Sequence, residues 1–140
     1  EDDYFTDVIA NGSLHDAKQA VLVSMMRQNA LVGEFMVRVI GGKLRTMDMT
    51  FSRKDLNIFF GELQQQSDQV AGWTEATIDR IKGVLSKCLI ETEYIMNTRE
   101  NKLYPVLAAE ELVQALRRSG LPSFLPAFNV FDDTDAKSTF

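Results

Sequence analysis

The apolar positions of this chain recur at helical spacing through most of its length. Ala17, Val21, Leu22, Met25 and Met26 mark one face of a helix that Ser13 can cap, with Asp16 three residues on as a reciprocal partner. The pattern continues through Leu31, Phe35, Met36, Val39 and Ile40 until Gly41-Gly42, which predicts a stop. Asn29 and Gly33 predict a break inside it, giving two successive helices or one bent one. Residues 43–50 read as a connector. Ser52 with Asp55 then forms a second capping pair, and Leu56, Phe59, Phe60 and Leu63 form the buried stripe of the next helix, which fades over Gln64-Gln65-Gln66.

A turn over 67–72 leads to the stretch around which the chain is organised, 72–89. Thr74 is a suitable N-cap and Glu75 places negative charge at the positive end of the helix dipole. Ile78, Ile81, Leu85 and Cys88 follow one buried face. On the opposite face Ala76, Arg80, Gly83 and Lys87 fall in one row, with Asp79 beside them. That row is small or cationic, so it can lie close to another polymer, and its charges favour an anionic one. Trp73, at the mouth of the helix, is expected to act as a hydrophobic staple or to lock the angle to the preceding helix.

Two short β-prone runs follow, 91–96 and 103–106, separated by the turn-rich 97–102; they predict a hairpin, with Pro105 confining the second strand to an edge. Arg99 and Lys102 sit at its tip. A last helix is predicted over 109–119, with Leu112, Val113 and Leu116 inward, Arg117 and Arg118 suited to the dipole, and Gly120 as its stop. The first half of the tail should pack on the body and the last eight or so residues should fray.

Helix, turn, helix, hairpin is the order of a winged helix-turn-helix. The expected fold class is therefore mainly α, containing such a module with one short β-hairpin. Its parts would be 1–50, 51–107 and 108–140, all in one compact domain. In such modules the second helix enters the major groove and the wing touches the adjacent backbone. The expected DNA-binding set is Thr74, Thr77, Arg80 and Lys87 on the helix, with Arg99 and Lys102 on the wing. Hydroxyls and cationic heads can contact phosphate without sequence preference.

Charge tempers this picture. The formal net charge is −5, with five basic against seven acidic residues in 1–50, seven against eight in 51–107 and three against five in 108–140. No overall basic field advertises a nucleic-acid binder, so local arrangement has to decide. Cys88 is the one cysteine, which excludes an internal disulfide and a cysteine-based metal cage; on an apolar face it reads as a core residue. His15 has no partner at ligand spacing and reads as a surface residue. No nucleophile–base pair, phosphate-cradling loop or metal cluster is visible, so no catalytic residue, cofactor or metal is assigned. Glu110-Glu111 and Asp132-Asp133 are adjacent pairs that diverge on a helix. No stretch approaches the roughly 18–20 apolar residues that span a bilayer, and a cytoplasmic location is expected.

Phe51 to Leu63, the start Trp73-Thr74-Glu75-Ala76-Thr77, the helix to Leu89, Tyr94-Ile95, Leu103-Tyr104-Pro105-Val106 and Leu125-Pro126-Ala127-Phe128 together resemble the BrxA family of bacteriophage-exclusion (BREX) systems. The resemblance covers about Leu14 to Phe131, and Trp-Thr-Glu-Ala-Thr is its most specific part. It implies a small, mainly helical cytosolic protein, likened in fold to the antitermination factor NusB. It also implies work beside a methyltransferase and other BREX proteins in anti-phage defence, with double-stranded DNA as the ligand. Family members are usually longer at the N-terminus and this chain opens on Glu1 without Met, so a truncated or short member is expected. The family has at times been labelled inner-membrane, against which the lack of a spanning segment argues. The alternative function is a protein–protein adaptor without DNA binding, docking through a Phe-rich tail of Phe124, Phe128 and Phe131.

Overall fold

A computed structural model of the chain describes residues 3–131. The expected fraying of the last residues and the Asp132-Asp133 pair lie outside them. The described residues are mainly helical and contain no β-strand. They divide into two compact units, 3–48 with 105–131, and Met49–Tyr104.

In the first unit, the acidic opening folds as helix α1, Asp3–Asn11, whose Phe5 and Val8, three apart, are buried. It packs against α2, Leu14–Gln28. Ser13 caps α2 by accepting the Asp16 N–H at 3.1 Å. The buried face of α2 is Gln19, Ala20, Leu22, Val23 and Met26, so it is rotated from the expected stripe and leaves Val21 exposed. Asn29 breaks the helix as predicted: its extended backbone ends α2, and its side chain accepts from Leu31 N and Val32 N to start α3, Ala30–Phe35.

Gly41-Gly42 does not stop the chain. A π-helical turn, Met36–Ile40, carries α3 directly into α4, Gly41–Arg45. The reason lies 85 residues away in sequence (Gly41 to Pro126), in the 3-10 helix Pro122–Phe128. A Cβ built on Gly41 would sit 2.9 Å from Pro126 Cβ and 3.1 Å from its carbonyl carbon. Gly41 is therefore the place where two backbones approach, and only a residue without a side chain fits. Helix α8, Glu110–Arg118, buries Leu112, Val113, Ala115 and Leu116 and ends as predicted at Gly120, whose φ of +72° suits glycine. The Phe-rich tail then packs inward: Phe128 is fully buried and Phe124 and Phe131 are half-buried, Phe131 with the Arg45 guanidinium 4.6 Å above its ring. The first half of the tail thus packs on the body as expected, with Phe124 and Phe131 keeping part of their surface exposed.

In the second unit, Ser52 and Asp55 form the predicted capping box of α5, Arg53–Gln66, and Leu56, Phe59, Phe60 and Leu63 are its buried stripe. A short α6, Asp68–Ala71, turns the chain into α7, Glu75–Glu91, capped by Thr74. Trp73 is half-buried just ahead of that cap.

The predicted β-hairpin is absent. Thr92 ends α7 with its N–H and hydroxyl both donated to Cys88 O, and Glu93 takes a φ of +72°. Tyr94 N and Ile95 N then fold back onto Leu89 O. These groups are consumed by the helix end and cannot serve a ladder. One backbone bond, Tyr104 N to Tyr94 O at 2.8 Å, joins the two expected arms. The second arm pairs instead with the entrance to α5: Leu103 N donates to Met49 O at 3.0 Å and Phe51 N to Asn101 O at 3.4 Å.

The two glycines should respond to alanine with opposite signs. Gly42→Ala meets nothing within 4 Å and should stabilise by up to about 1 kcal/mol through helix propensity. Gly41→Ala should destabilise by about 1–3 kcal/mol because the Pro126 backbone must move. Urea unfolding of both variants checks this; equal shifts would contradict the close approach.

Candidate nucleic-acid interface

Thr74 Oγ1 accepts the Thr77 N–H at 3.1 Å and donates to Thr77 Oγ1 at 2.9 Å. The two hydroxyls are thus brought together at the first turn of α7, where Thr74 acts first as a cap. From there the helix runs 17 residues, about 25 Å. Ala76, Arg80, Gly83 and Lys87 are all exposed along it. Arg80 and Lys87, seven residues apart, stack on one face with about 10 Å between them. A Cβ added at Gly83 would meet nothing within 4 Å, so the row between the two cations is open. Lys87 Nζ lies 3.8 Å from Glu91 Oε1, an exposed pair of the weak kind that yields to a competing anion.

Arg99 and Lys102 are exposed on an irregular loop that replaces the wing. Asn97 Oδ1 accepts from Arg99 N and Glu100 N, both at 2.9 Å, which shapes the tip. Lys102 Nζ stands 5.0 Å above the Tyr104 ring, and the Tyr104 hydroxyl donates to the Glu100 carboxylate. The hydrogen bond raises the Tyr104 pKa above its ordinary value.

The start of α7 faces the end of α5 across a cleft. Lys82 Nζ donates to Asn57 Oδ1 at 2.7 Å, and Gly61 and Gln64 line a cleft with Glu75, Ile78 and Asp79. The Thr74–Thr77 pair therefore lies toward the exit of α5, and the loop with Arg99 and Lys102 toward its entrance. The structure stacks Arg80 with Lys87 and seats Arg99 near Lys102, but it sets the threonine pair and the loop cations at opposite ends.

Two neighbouring cations that had no role in the pattern reading bear on the loop. Arg53 and Lys54, both exposed, open α5 two and three residues after Phe51 and so lie on the loop's side. The signal that could have revealed them is electrostatic: adjacent cations in a helix's first turn oppose its dipole, so helix stability does not account for them.

Other ionisable groups have these surroundings. Cys88 is buried, and that burial, with the Glu91 carboxylate adding to it, pushes its thiol up to about 11. Tyr94 is fully buried and held well above its ordinary value by the same cause. His15 is exposed with Nε2 3.1 Å from Leu107 O, a carbonyl that also accepts from Gln19 Nε2. Glu110 accepts from Gln114 Nε2 at 2.8 Å. Among the described residues no helix is long and apolar enough to cross a membrane.

The family model BrxA matches residues 2–120. A BREX protein BrxA of Bacillus cereus (strain H3081.97) is 36% identical over 101 residues, covering 72% of this chain and 50% of that protein. A BREX protein BrxA of Paramagnetospirillum magneticum (strain ATCC 700264 / AMB-1) is 21% identical over 112 residues, covering 80% and 56%. The chain spans about half the length of these curated relatives.

Thr74→Ala should cost about 1 kcal/mol of stability, and Thr74→Ser should restore most of it, since the lost contact is the cap. Alkali should also unfold the second unit. The folded state keeps the Cys88 proton that the unfolded chain releases above its ordinary 9.0, so this contribution is full below that pH and is lost as pH rises toward 11. Urea midpoints across that range should fall, and Cys88→Ala should flatten part of the fall.

Proposed function

The chain belongs to the BrxA family, and from that premise we propose that it is a non-catalytic accessory protein of a bacterial anti-phage (BREX) system that binds double-stranded DNA mainly through the phosphate backbone. The contact set is Thr74, Thr77, Arg80 and Lys87 on α7 with Arg99 and Lys102 on the loop. The observation that supports it is the outward face of α7. Its exposed row holds two cations separated by Gly83, with open space above the glycine and Val84 exposed alongside. In this reading α5–α7 acts as a helix-turn-helix with an irregular loop for a wing, within the NusB-like helical frame that the family resemblance implies. It works in the cytoplasm beside other BREX proteins.

A duplex of random sequence and about 30 base pairs should bind with an affinity that falls steeply with salt, by about 0.9 in log–log slope per phosphate contact. The quadruple variant R80A/K87A/R99A/K102A should lose that binding while its circular dichroism stays that of the wild type. Unchanged affinity in the folded variant would overturn the site. No binding by the wild type at low salt would overturn DNA binding and favour partner proteins of the defence complex.

A further inference from the structure

We infer that Arg53 and Lys54, together with Arg99 and Lys102, form a clamp for DNA phosphates at the entrance to α5; this rests on the DNA-binding reading above. The two segments are pinned to each other by the bonds from Leu103 N to Met49 O and from Phe51 N to Asn101 O. With Cα atoms about 3.8 Å apart along the chain, Arg53 and Lys54 stand two and three residues beyond Phe51, and Lys102 and Arg99 one and two residues from Asn101, so the backbones bearing the four cations lie no more than about 24 Å apart. Their long side chains can close that gap around one anionic strand.

Charge singles this region out. In 49–54 and 95–104 four cations face one carboxylate, Glu100, and that carboxylate takes the Tyr104 hydroxyl. The chain as a whole carries −5. Asp55, the next acid along α5, is half-buried and turned back to accept the Ser52 N–H at 2.9 Å. That capping box occupies the helix start, so an incoming phosphate would meet side chains and not free amides. The Asn97 turn and the stacking of Lys102 on Tyr104 hold the loop in place beforehand, which lowers the ordering cost of binding. Cations placed against the helix dipole, beside two more on a pinned loop, answer to a polyanion.

The test is fluorescence anisotropy of the labelled random-sequence duplex over a range of salt, with three double variants. Arg53→Ala with Lys54→Ala should weaken binding at least about tenfold near 0.1 M salt and make the log–log slope shallower by about 2. The charge-keeping swap Arg53→Lys with Lys54→Arg should bind like the wild type, because backbone contact reads charge. Arg117→Ala with Arg118→Ala removes the same charge from the exposed end of α8 and should leave affinity and slope near those of the wild type. Should the first pair fail to fold, Lys54→Gln alone should carry about half its slope change. Wild-type slope in the Arg53/Lys54 variant, or an equal loss in the Arg117/Arg118 control, overturns the clamp while leaving DNA binding standing. No wild-type binding at low salt overturns both.

Discussion

Two backbone hydrogen bonds, from Leu103 N to Met49 O and from Phe51 N to Asn101 O, close the second unit on itself. They join the residues that enter α5 to the residues that follow α7, and so bring the two ends of a 49–104 segment into register. Each is worth only about 1 kcal/mol net, but leaving buried backbone groups unmet would cost more. Tyr94, fully buried, sits next to this closure and accepts from Tyr104 N. The irregular course of 92–104 follows from the same constraint. Its donors go to the end of α7, to the Asn97 turn and, from Leu103, to the strand-like entrance to α5, and a single bond, Tyr104 N to Tyr94 O, joins the two expected arms.

This closure also decides how charge is presented. A chain with net charge −5 has no long-range attraction for a polyanion, and screening limits surface charges to about 10 Å in any case. Whatever anion it holds must be recognised by neighbouring cations. The register of α7 stacks Arg80 over Lys87, and the backbone bonds set Arg99 and Lys102 beside the first turn of α5. Asp55 and Glu100 are engaged in a cap and a local bond, while Asp79 stands exposed beside Arg80. Local order thus gathers Arg99 and Lys102 beside the start of α5 in a chain whose net charge is −5.

The first unit depends on a different contact, the approach of Gly41 to Pro126. Glycine pairs ordinarily end helices, and the prediction of a stop at Gly41-Gly42 followed that rule. The rule failed because the missing side chain serves packing: the helix passes through, and the tail crosses it at a distance no Cβ would allow. The same crossing carries Phe128 into the core, so that ring of the aromatic tail is spent on packing.

Several features were legible in the residues alone, and they are those with a local cause. The Ser13, Ser52 and Thr74 caps, the break at Asn29, the stripe from Leu56 to Leu63, the stop at Gly120 and the exposed row of α7 each need only a few neighbouring residues and the helical period. The family itself was legible in the motifs from Phe51 to Phe128, as the match over 2–120 bears out. Tertiary structure decided the rest. It made a helix of the acidic opening by burying Phe5 and Val8, rotated α2 to put Val23 inward, and carried the chain through Gly41. It gave the 103–104 arm a partner at 49–51 in place of a hairpin, and so tied the entrance of α5 to the loop that bears Arg99 and Lys102. These outcomes hang on contacts between residues dozens of positions apart, whose free energies outweigh the local preferences that a sequence displays.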